Sequence, residues 1–577
     1  MDNGKIKIIM KKITVHGIVQ GVGFRPLVYR LAKKYRINGT VQNTGGLVDI
    51  IAQSSQQDFD DFLYDLKTDK SQGYEIINIE IEDIEDIEEK KFSEFKIIES
   101  SVNDEIAIIP PDLPVCPECQ HELYIDINRR FHNPFISCMS CGPRFTIMEE
   151  LPYDRHTTTM KDFDMCPDSL EEYTSPNNRR FHAQTVSCNN CGPYLIFNDL
   201  INEEALDEAI KVINAGGIVA IKGIGGYHFA CSPFKEQTVE NLRKLKGREE
   251  KPFAVMFPSL DSVREYCVVS KEEEELLESK AKQIVLLYAK ENMMANSTNK
   301  DSIYCGAFLP YTGLQMMITA SCGPLIMTSA NISNQPIIKD DAEMLSIKSP
   351  FLCGVLYNTR RIVRSVDDSV AKVIDHKIQL TRRSRGYVPY PVFISKSNKD
   401  LQIFAAGSDL KASFCLYRSG NAVVSQHFGD LEESTFLDEY KNSVQDLSHL
   451  LKISPDIAVC DMHPNYHSSK YAQSLGIPVI YAQHHHAHIA SVMAEHNLKE
   501  RVIGVAFDGT GYGTDGNIWG GEFLVCEGAD FNRFAHLKYT SILGGDQSMR
   551  DAKKTATCFL INQELNQYIN DERSNII

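Results

Sequence analysis

Seven of the 16 cysteines lie between Cys116 and Cys191, most of them in close pairs. Cys116, Cys119, Cys138 and Cys141 form a C-x2-C-x18-C-x2-C pattern, and four thiolates in two pairs suit a closed, tetrahedral, structural zinc site. Cys166, Cys188 and Cys191 repeat the pattern with Ser169 in place of the fourth cysteine. A hydroxyl is a poor zinc ligand, so one sound zinc and one weakened or absent zinc are expected, although the pairs could also exchange between the copies. The copies share more than cysteines. Asn128-Arg129-Arg130-Phe131-His132 returns as Asn178-Arg179-Arg180-Phe181-His182, and Cys141-Gly142-Pro143 as Cys191-Gly192-Pro193, all at an offset of 50 residues. Such matches at one offset mark a duplicated module. His182 is not promoted to the missing ligand, because His132 stands at the same place in the copy that has four cysteines.

A second constellation, Gly17-Ile18-Val19-Gln20-Gly21-Val22-Gly23-Phe24-Arg25, passes from a strand through a glycine-rich turn into a helix. Backbone N–H groups of Gln20, Gly21, Val22, Gly23 and Phe24 can converge there, and the helix N-terminus adds positive potential, which makes a phosphate cradle. Arg25, in the first helical turn, would pair with phosphate oxygens bidentately. Asn43, in Gly39-Thr40-Val41-Gln42-Asn43 on the next strand, puts an amide where it could orient a water. Further on, Lys246, Arg248 and Lys251 precede Thr328, Ser329, Ala330, Asn331 and Ser333. Basic residues followed by small hydroxyls and an amide are what a nucleotide and its phosphates require. Near the end, His484, His485, His486 and His488 concentrate four of 17 histidines into five residues. His484 and His488 share a helix face and could bind one metal. Asp508 opens Asp508-Gly509-Thr510-Gly511-Tyr512-Gly513 directly after a strand. A strand-end carboxylate with a glycine loop is how an actin-like ATPase holds metal and phosphate, which makes Asp508 a metal ligand and Gly509, Gly511 and Gly513 nucleotide-binding positions.

The elements that must position these groups follow from apolar spacing. Phe24, Leu27, Val28, Leu31, Ala32 and Tyr35 form one helical stripe, and Phe59, Phe62, Leu63 and Leu66 another. With strands around Ile13–Ile18 and Val48–Ala52 and a closing strand from Glu94 to Ile98, they predict a ferredoxin-like unit, in which the acidic stretch Glu80–Glu89 is a solvated edge or loop. Pro110, Pro111 and Pro114 mark a linker. A helix at Ala205–Asn214 and a strand at Ile218–Lys222 start an α/β unit, and strands at Ala405–Gly407, Ile457–Val459, Val479–Ala482 and Val502–Phe507 belong to a last α/β segment. The composition, 43% hydrophobic and 24% charged, is that of a globular protein, and 577 residues suffice for about four domains. A net charge of −17 argues against non-specific nucleic-acid binding. No stretch reaches the ~18 uninterrupted apolar residues of a membrane span, and the start lacks a signal-peptide core, so a cytoplasmic protein is expected.

The glycine-rich loop with Arg25 and the strand with Asn43 resemble the acylphosphatase signature, which implies phosphate binding by Arg25 and water positioning by Asn43. Gly216-Gly217, Lys246, Arg248, Lys251-Pro252-Phe253-Ala254-Val255-Met256, Thr328-Ser329-Ala330-Asn331, then Arg364, Asp367, Asp368 and Ser369 and the run from Arg382 to Pro389, look like the threonylcarbamoyl-adenylate synthase (YrdC-like) fold. The histidine cluster, the Asp508 loop and Trp519-Gly520-Gly521-Glu522 resemble the metal- and nucleotide-binding lobe of the tRNA threonylcarbamoyl transferase and O-carbamoyltransferase group. In this order the units are similar to one family, the hydrogenase maturation carbamoyltransferases (HypF). The resemblance implies a multidomain α/β and α+β chain: an acylphosphatase-like domain at 1–100, a duplicated zinc-finger module at 101–200, an adenylate-synthase-like domain at 201–392 and an actin-like carbamoyltransferase domain at 393–577. It also implies an enzyme that makes carbamoyl adenylate from carbamoyl phosphate and ATP. The carbamoyl group passes to the C-terminal cysteine of a HypE-type maturation protein, for the iron cyanide ligands of [NiFe] hydrogenase. The implied cofactors are structural zinc, ATP with magnesium and a divalent metal in the last domain; no membrane or nucleic-acid partner is expected. Family members continue past the position of Ile577 with a second actin-like lobe, so the last domain is expected to be incomplete and the transfer step to need that lobe. Two other readings are a tRNA threonylcarbamoylation enzyme, which the fused first unit and the acidic charge argue against, and a truncated zinc-containing scaffold that is inactive or retains only acylphosphatase activity. The intact Arg25/Asn43 pair argues against an inactive one.

Overall fold

The computed structural model describes residues 8–44, 46–69, 74–84, 92–101, 108–291, 293–300, 302–331, 335–394, 401–545 and 551–562. The chain forms two compact units, residues 1–460 with 465–480, and residues 461–464 with 481–577.

In the first unit, β1 (Ile8–Ile18) buries alternate residues, among them Ile13 and Val15. Its inner face meets α1 (Phe24–Lys34), whose stripe of Phe24, Leu27, Val28 and Leu31 shares one core with Phe59, Phe62 and Leu66 of α2 (Gln56–Thr68). With β2 (Asn38–Thr44), β3 (Leu47–Ser55), β4 (Glu75–Asp83) and β5 (Phe95–Ile97) the sheet order is β4-β1-β3-β2-β5. The first four strands are antiparallel neighbours in the ferredoxin-like arrangement. One expectation is corrected here. The closing strand is β4, and the segment at 94–98 supplies instead a fifth strand parallel to β2. As an edge strand β4 keeps most of its side chains in solvent, so acidic residues fit it and discourage pairing with another edge. The acidic composition draws attention away from the alternation of Ile77, Ile79 and Ile81 with Asn78, Glu80 and Glu82; residues 85–89 of the acidic stretch lie outside the described residues.

The duplicated module holds two short helices, Pro117–Leu123 and Pro167–Thr174, each started by a cysteine, Cys116 or Cys166, with proline at the first helical position. Beyond it, the helix Asn202–Ala215 ends on Gly216, whose φ of +100° the helix stop requires. The strand Ile218–Lys222 follows, buried throughout: Ile218 and Ala220 enter one core, Val219 and Ile221 the other. It sits in a mixed sheet whose middle runs Ile284–Ala289, Tyr304–Phe308, Ala254–Met256, Leu325–Ser329, Tyr227–Cys231, Ile218–Lys222, Leu352–Asn358. A second sheet of this unit includes Cys415–Arg418 and Ile403–Ala405; the latter strand stops before Gly407, which turns at φ +69° instead of extending it. The helix Ser434–Leu451 packs there, with Tyr440 among Phe404, Phe414 and Phe428.

In the second unit the helix His484–Glu495 lies on an antiparallel sheet of Val502–Ala506, Glu522–Glu527 and Asp530–His536. Ile489 and Met493 pack with Leu524, Cys526 and Trp519. A Cβ on Gly504 would stand 2.5 Å from Ile489, so the close approach of helix and strand needs glycine there. Among the described residues no helix is long and apolar enough to cross a membrane.

Candidate functional sites

In the first finger the sulfurs of Cys116 and Cys138 are 3.7 Å apart, those of Cys138 and Cys141 3.8 Å, and those of Cys141 and Cys119 3.6 Å. A tetrahedron with Zn–S bonds of about 2.3 Å has edges of about 3.8 Å, so the four sulfurs stand at the corners of a zinc-sized cage. In the second finger Cys166–Cys188 and Cys188–Cys191 are both 3.7 Å, and the buried Ser169 Oγ lies 3.4 Å from the sulfurs of Cys166 and Cys191. The hydroxyl takes the fourth corner. Each cluster draws on its own copy, without exchange.

The repeated arginines cross over. Arg179 of the second copy brings Nη2 to 3.0 Å from Cys119 Sγ and donates from Nε to Glu122 Oε1 at 2.9 Å. Arg129 of the first copy reaches Cys166 and Cys188 at 3.3 Å and Glu172 at 2.9 Å. Behind them Arg130 and Arg180 donate from Nε to Ser187 O and Ser137 O of the opposite copy. Four thiolates around Zn²⁺ leave a net charge of −2, and a guanidinium against the sulfurs offsets part of it.

At the cradle, Gly21 (φ +67°) and Gly23 (φ +82°) are left-handed, which turns successive N–H groups toward one point just before α1 begins at Phe24. Val22 and Phe24 put their side chains into the core, and Gln20 donates its amide to Leu47 O at 3.0 Å. Arg25 Nη2 donates to Asp154 Oδ1 at 2.8 Å and Nη1 to Ser100 Oγ at 3.2 Å, while Ser100 donates to Asp154 Oδ2 at 2.6 Å. The Asn43 side chain is fully buried, and among the described residues neither of its amide atoms has a partner. A buried orphan amide costs ~1–3 kcal/mol, an expense that persists where a ligand or water is to be held. The finger module covers the loop: Arg144 Nε donates to Gly21 O at 2.5 Å, and Tyr153 would touch a Cβ on Gly21 at 3.0 Å. A cavity of about 20 Å³ remains, lined by Gly21, Gly23, Arg25, Arg144, Tyr153 and His182 among others. Burial and then the Arg25 charge lower His182 to about 4, so it is neutral.

In the large mixed sheet, Lys246 ends the helix Glu236–Lys246 and donates to Ser329 O, to Asn331 O at 3.2 Å and to Asn331 Oδ1 at 2.7 Å. Ser329 Oγ donates to the same Asn331 Oδ1 at 3.0 Å, and Thr328 precedes it on the strand Leu325–Ser329. The basic run and the hydroxyl–amide run therefore meet, although Lys246 and Ser329 lie 83 positions apart in the chain. Burial, then the Arg248 charge, lowers Lys246 to about 7; burial, then Arg243, lowers Arg248 to about 10. Arg248 donates to Pro252 O, and Lys251 is exposed. Ser333 lies outside the described residues.

In the second unit His484 and His488 stand on one face of their helix, and their ring nitrogens cluster with an Asp508 oxygen. His484 Nε2 is 2.7 Å from Asp508 Oδ2, and His488 Nε2 is 3.6 Å from it. The other ring nitrogen of His484, Nδ1, is 2.6 Å from Asp461 Oδ2. A carboxylate behind a histidine fixes the ring and leaves the far nitrogen for a metal. Hydrogen bonds to Asp461 and Asp508 raise His484 to about 9, and its bond to Asp508 holds that carboxyl below its usual range. Two glycines of the neighbouring loop owe their type to packing: a Cβ on Gly511 would lie 2.3 Å from His485, and one on Gly513 2.1 Å from Trp519, whereas Gly509 borders open space.

Five family models match along the chain: "Acylphosphatase" at 11–97, "HypF finger" at 115–148 and 165–197, "Telomere recombination" at 211–384, "HypF Kae1-like domain" at 398–495 and "Carbamoyltransferase, Kae1-like Domain, second subdomain" at 504–575. Carbamoyltransferase HypF of Synechocystis is 41% identical over 558 residues, 95% of this chain and 72% of the relative. The chain belongs to the HypF carbamoyltransferase family. A probable carbamoyltransferase HypF of Methanocaldococcus jannaschii is also 41% identical, over 93% of this chain and 71% of its own length. A crystal structure of full-length HypF in the phosphate- and nucleotide-bound form superposes with a TM-score of 0.95 at 39% identity, covering 100% of this chain and 77% of that one. HypF of T. kodakarensis gives 0.86 at 38% identity, covering 94% and 71%.

As a HypF-family chain, the protein is a hydrogenase maturation carbamoyltransferase that uses carbamoyl phosphate and ATP, with acylphosphatase-type, finger, YrdC-like and Kae1-like domains. The finger matches and the cysteine clusters point to structural zinc in this module. Sequence reasoning missed Asp154, Ser100 and Asp461, and saw the Asn-Arg-Arg-Phe-His repeat without its role. The repeat was the available signal: a motif copied along with the metal ligands belongs to their surroundings. No spacing marks the other three, because each meets its partner only through the tertiary fold.

Proposed function

We propose that the chain carries out three linked steps with the residues read from its sequence. Arg25 and the backbone N–H groups of residues 20–24 hold the phosphate of carbamoyl phosphate, and Asn43 orients the attacking water, whose oxygen opens the carbamoyl phosphate and leaves carbamate and inorganic phosphate. Carbamate then attacks the α-phosphorus of ATP, forming carbamoyl adenylate and releasing pyrophosphate. Lys246, Arg248, Thr328, Ser329 and Asn331 hold the nucleotide there, with Lys251 at the mouth and magnesium accompanying ATP. Finally the cysteine sulfur of a HypE-type partner takes the carbamoyl group and AMP departs. A divalent metal held by His484, His488 and Asp508 would polarise phosphate oxygens beside the Gly509–Gly513 loop, with Asp461 steadying His484.

The observation that carries this reading is the pairing, in one chain, of an orphaned Asn43 amide in the Arg25 domain with a Lys246 ammonium drawn to Ser329 and Asn331. Carbamate is unstable in water, so fusing the two sites serves containment. The seven finger cysteines form no disulfide, which suits a reducing cytoplasm. Incubation of the purified chain with ATP and carbamoyl phosphate, with and without threonine and bicarbonate, tests it. Pyrophosphate and AMP are expected only with carbamoyl phosphate; pyrophosphate that instead needs threonine and bicarbonate would overturn the assignment.

A further inference from the structure

The guanidinium that must receive phosphate is already engaged. Its two terminal nitrogens go to Asp154 Oδ1 (2.8 Å) and Ser100 Oγ (3.2 Å), and Ser100 closes the ring on Asp154 Oδ2 at 2.6 Å. Asp154 is not part of the acylphosphatase-like fold. It lies between the two fingers, anchored by its own backbone N–H on Thr157 Oγ1 (3.0 Å), with the Gln184 amide a further 3.5 Å contact. The Arg25 and Asp154 side chains are only 10% and 15% exposed, so solvent screens the pair poorly. The two engaged nitrogens, Nη1 and Nη2, form the edge of the guanidinium that a phosphate held bidentately through both of them would need.

We propose that Asp154 is a tethered counter-anion that competes with phosphate for Arg25. Phosphate taken up by both Nη atoms displaces the carboxylate from Nη2 and the Ser100 hydroxyl from Nη1, and departing phosphate is replaced by them. The carboxylate therefore weakens the hold on the product and keeps inorganic phosphate from occupying the site, while a dianionic substrate engaged by the whole cradle still displaces it. Asp154 is a positioning residue: it acts through Arg25 and touches no reacting atom. The idea rests on the reading of Arg25 as the phosphate-binding residue.

The experiment uses the full chain, with inorganic phosphate as the probe, titrated calorimetrically and as an inhibitor of phosphate release from carbamoyl phosphate. Asp154→Asn keeps the shape and a hydrogen-bond acceptor for Arg25 but removes the charge; Asp154→Ala removes both; Asp154→Glu restores the charge. The asparagine and alanine variants are expected to bind phosphate about tenfold more tightly, with lower KM and stronger product inhibition, and the glutamate variant to return toward the wild-type value. A variant that merely damaged the fold would bind phosphate less well. Unchanged or weaker phosphate binding by both neutral variants, with Arg25→Ala abolishing binding, would overturn the competitor role alone. Phosphate binding that survives Arg25→Ala would overturn the underlying reading.

Discussion

Replacing Ser169 by cysteine should turn two unequal zinc centres into two equal ones. A complete structural site in a zinc-finger peptide is worth about 10–16 kcal/mol, or roughly 2.5–4 kcal/mol for each of four ligands. Ser169 Oγ stands 3.4 Å from two of the sulfurs, at a corner of the cage, so a hydroxyl or a water it holds recovers part of that share. The deficit of the second centre is then about 2–3 kcal/mol, which corresponds to roughly a hundredfold in affinity. Zinc release to a chromophoric chelator should accordingly be biphasic in the wild-type chain, with one equivalent yielding at about a hundredfold lower chelator than the other. In Ser169→Cys the two phases should merge at the tighter value, and Cys119→Ser should weaken the first centre in the same manner. Two equivalents that already leave together from the wild-type chain, or a serine-to-cysteine change that leaves the weak phase in place, would refute the reasoning.

Arg179→Ala, which strips a guanidinium from 3.0 Å beside Cys119, should accelerate zinc loss from the first centre although the residue belongs to the second copy; chelator kinetics on the Ser169 background, where the two centres release in separate phases, would show it in the tighter phase. Asn43→Ala should cut phosphate release by at least a hundredfold without lowering the melting temperature, because the amide it removes is buried with no partner among the described residues. Asp461→Asn should reduce metal affinity of the His484 cluster by about 10–100-fold, read by metal titration. Lys246→Met should end ATP-dependent pyrophosphate release while sparing phosphate release. The variant should also change the pH dependence of stability. Lys246 is held near 7 in the folded chain against about 10.4 unfolded, so between those values the unfolded state binds more protons and this group makes the wild type more stable as pH rises. Denaturant midpoints of wild type minus variant should therefore climb from pH 7 toward pH 10.

Periodicity was a reliable guide where a single face is buried. The stripes of α1 and α2 point inward as spaced, because each helix covers one side of one sheet. It was overlooked at β4, where Ile77, Ile79 and Ile81 alternate with Asn78, Glu80 and Glu82 but the acidic residues read as a solvated edge or loop, and most positions face solvent. The clusters of candidate metal ligands were legible because coordination chemistry restricts both residue type and local spacing. The groups around them were not: Asp154 meets Arg25 across 129 residues and Asp461 meets His484 across 23, and any carboxylate of the chain would have read the same. Gly511 and Gly513 illustrate the converse. Their type reads like a ligand loop, yet the space beside them is taken by His485 and Trp519.

The crossed arginines of the fingers bear on how such a module could have arisen. A single finger of one copy's length would have carried an arginine with no cluster within its reach and a cluster with no cation beside it. Two such polypeptides related by a twofold axis would have satisfied each other, since an isologous interface repeats every contact in both directions. Joining them end to end would then have preserved a dimer inside one chain. On that history the two halves stand or fall as a pair, and a substitution at one metal cage, such as Ser169, is carried by the integrity of its twin.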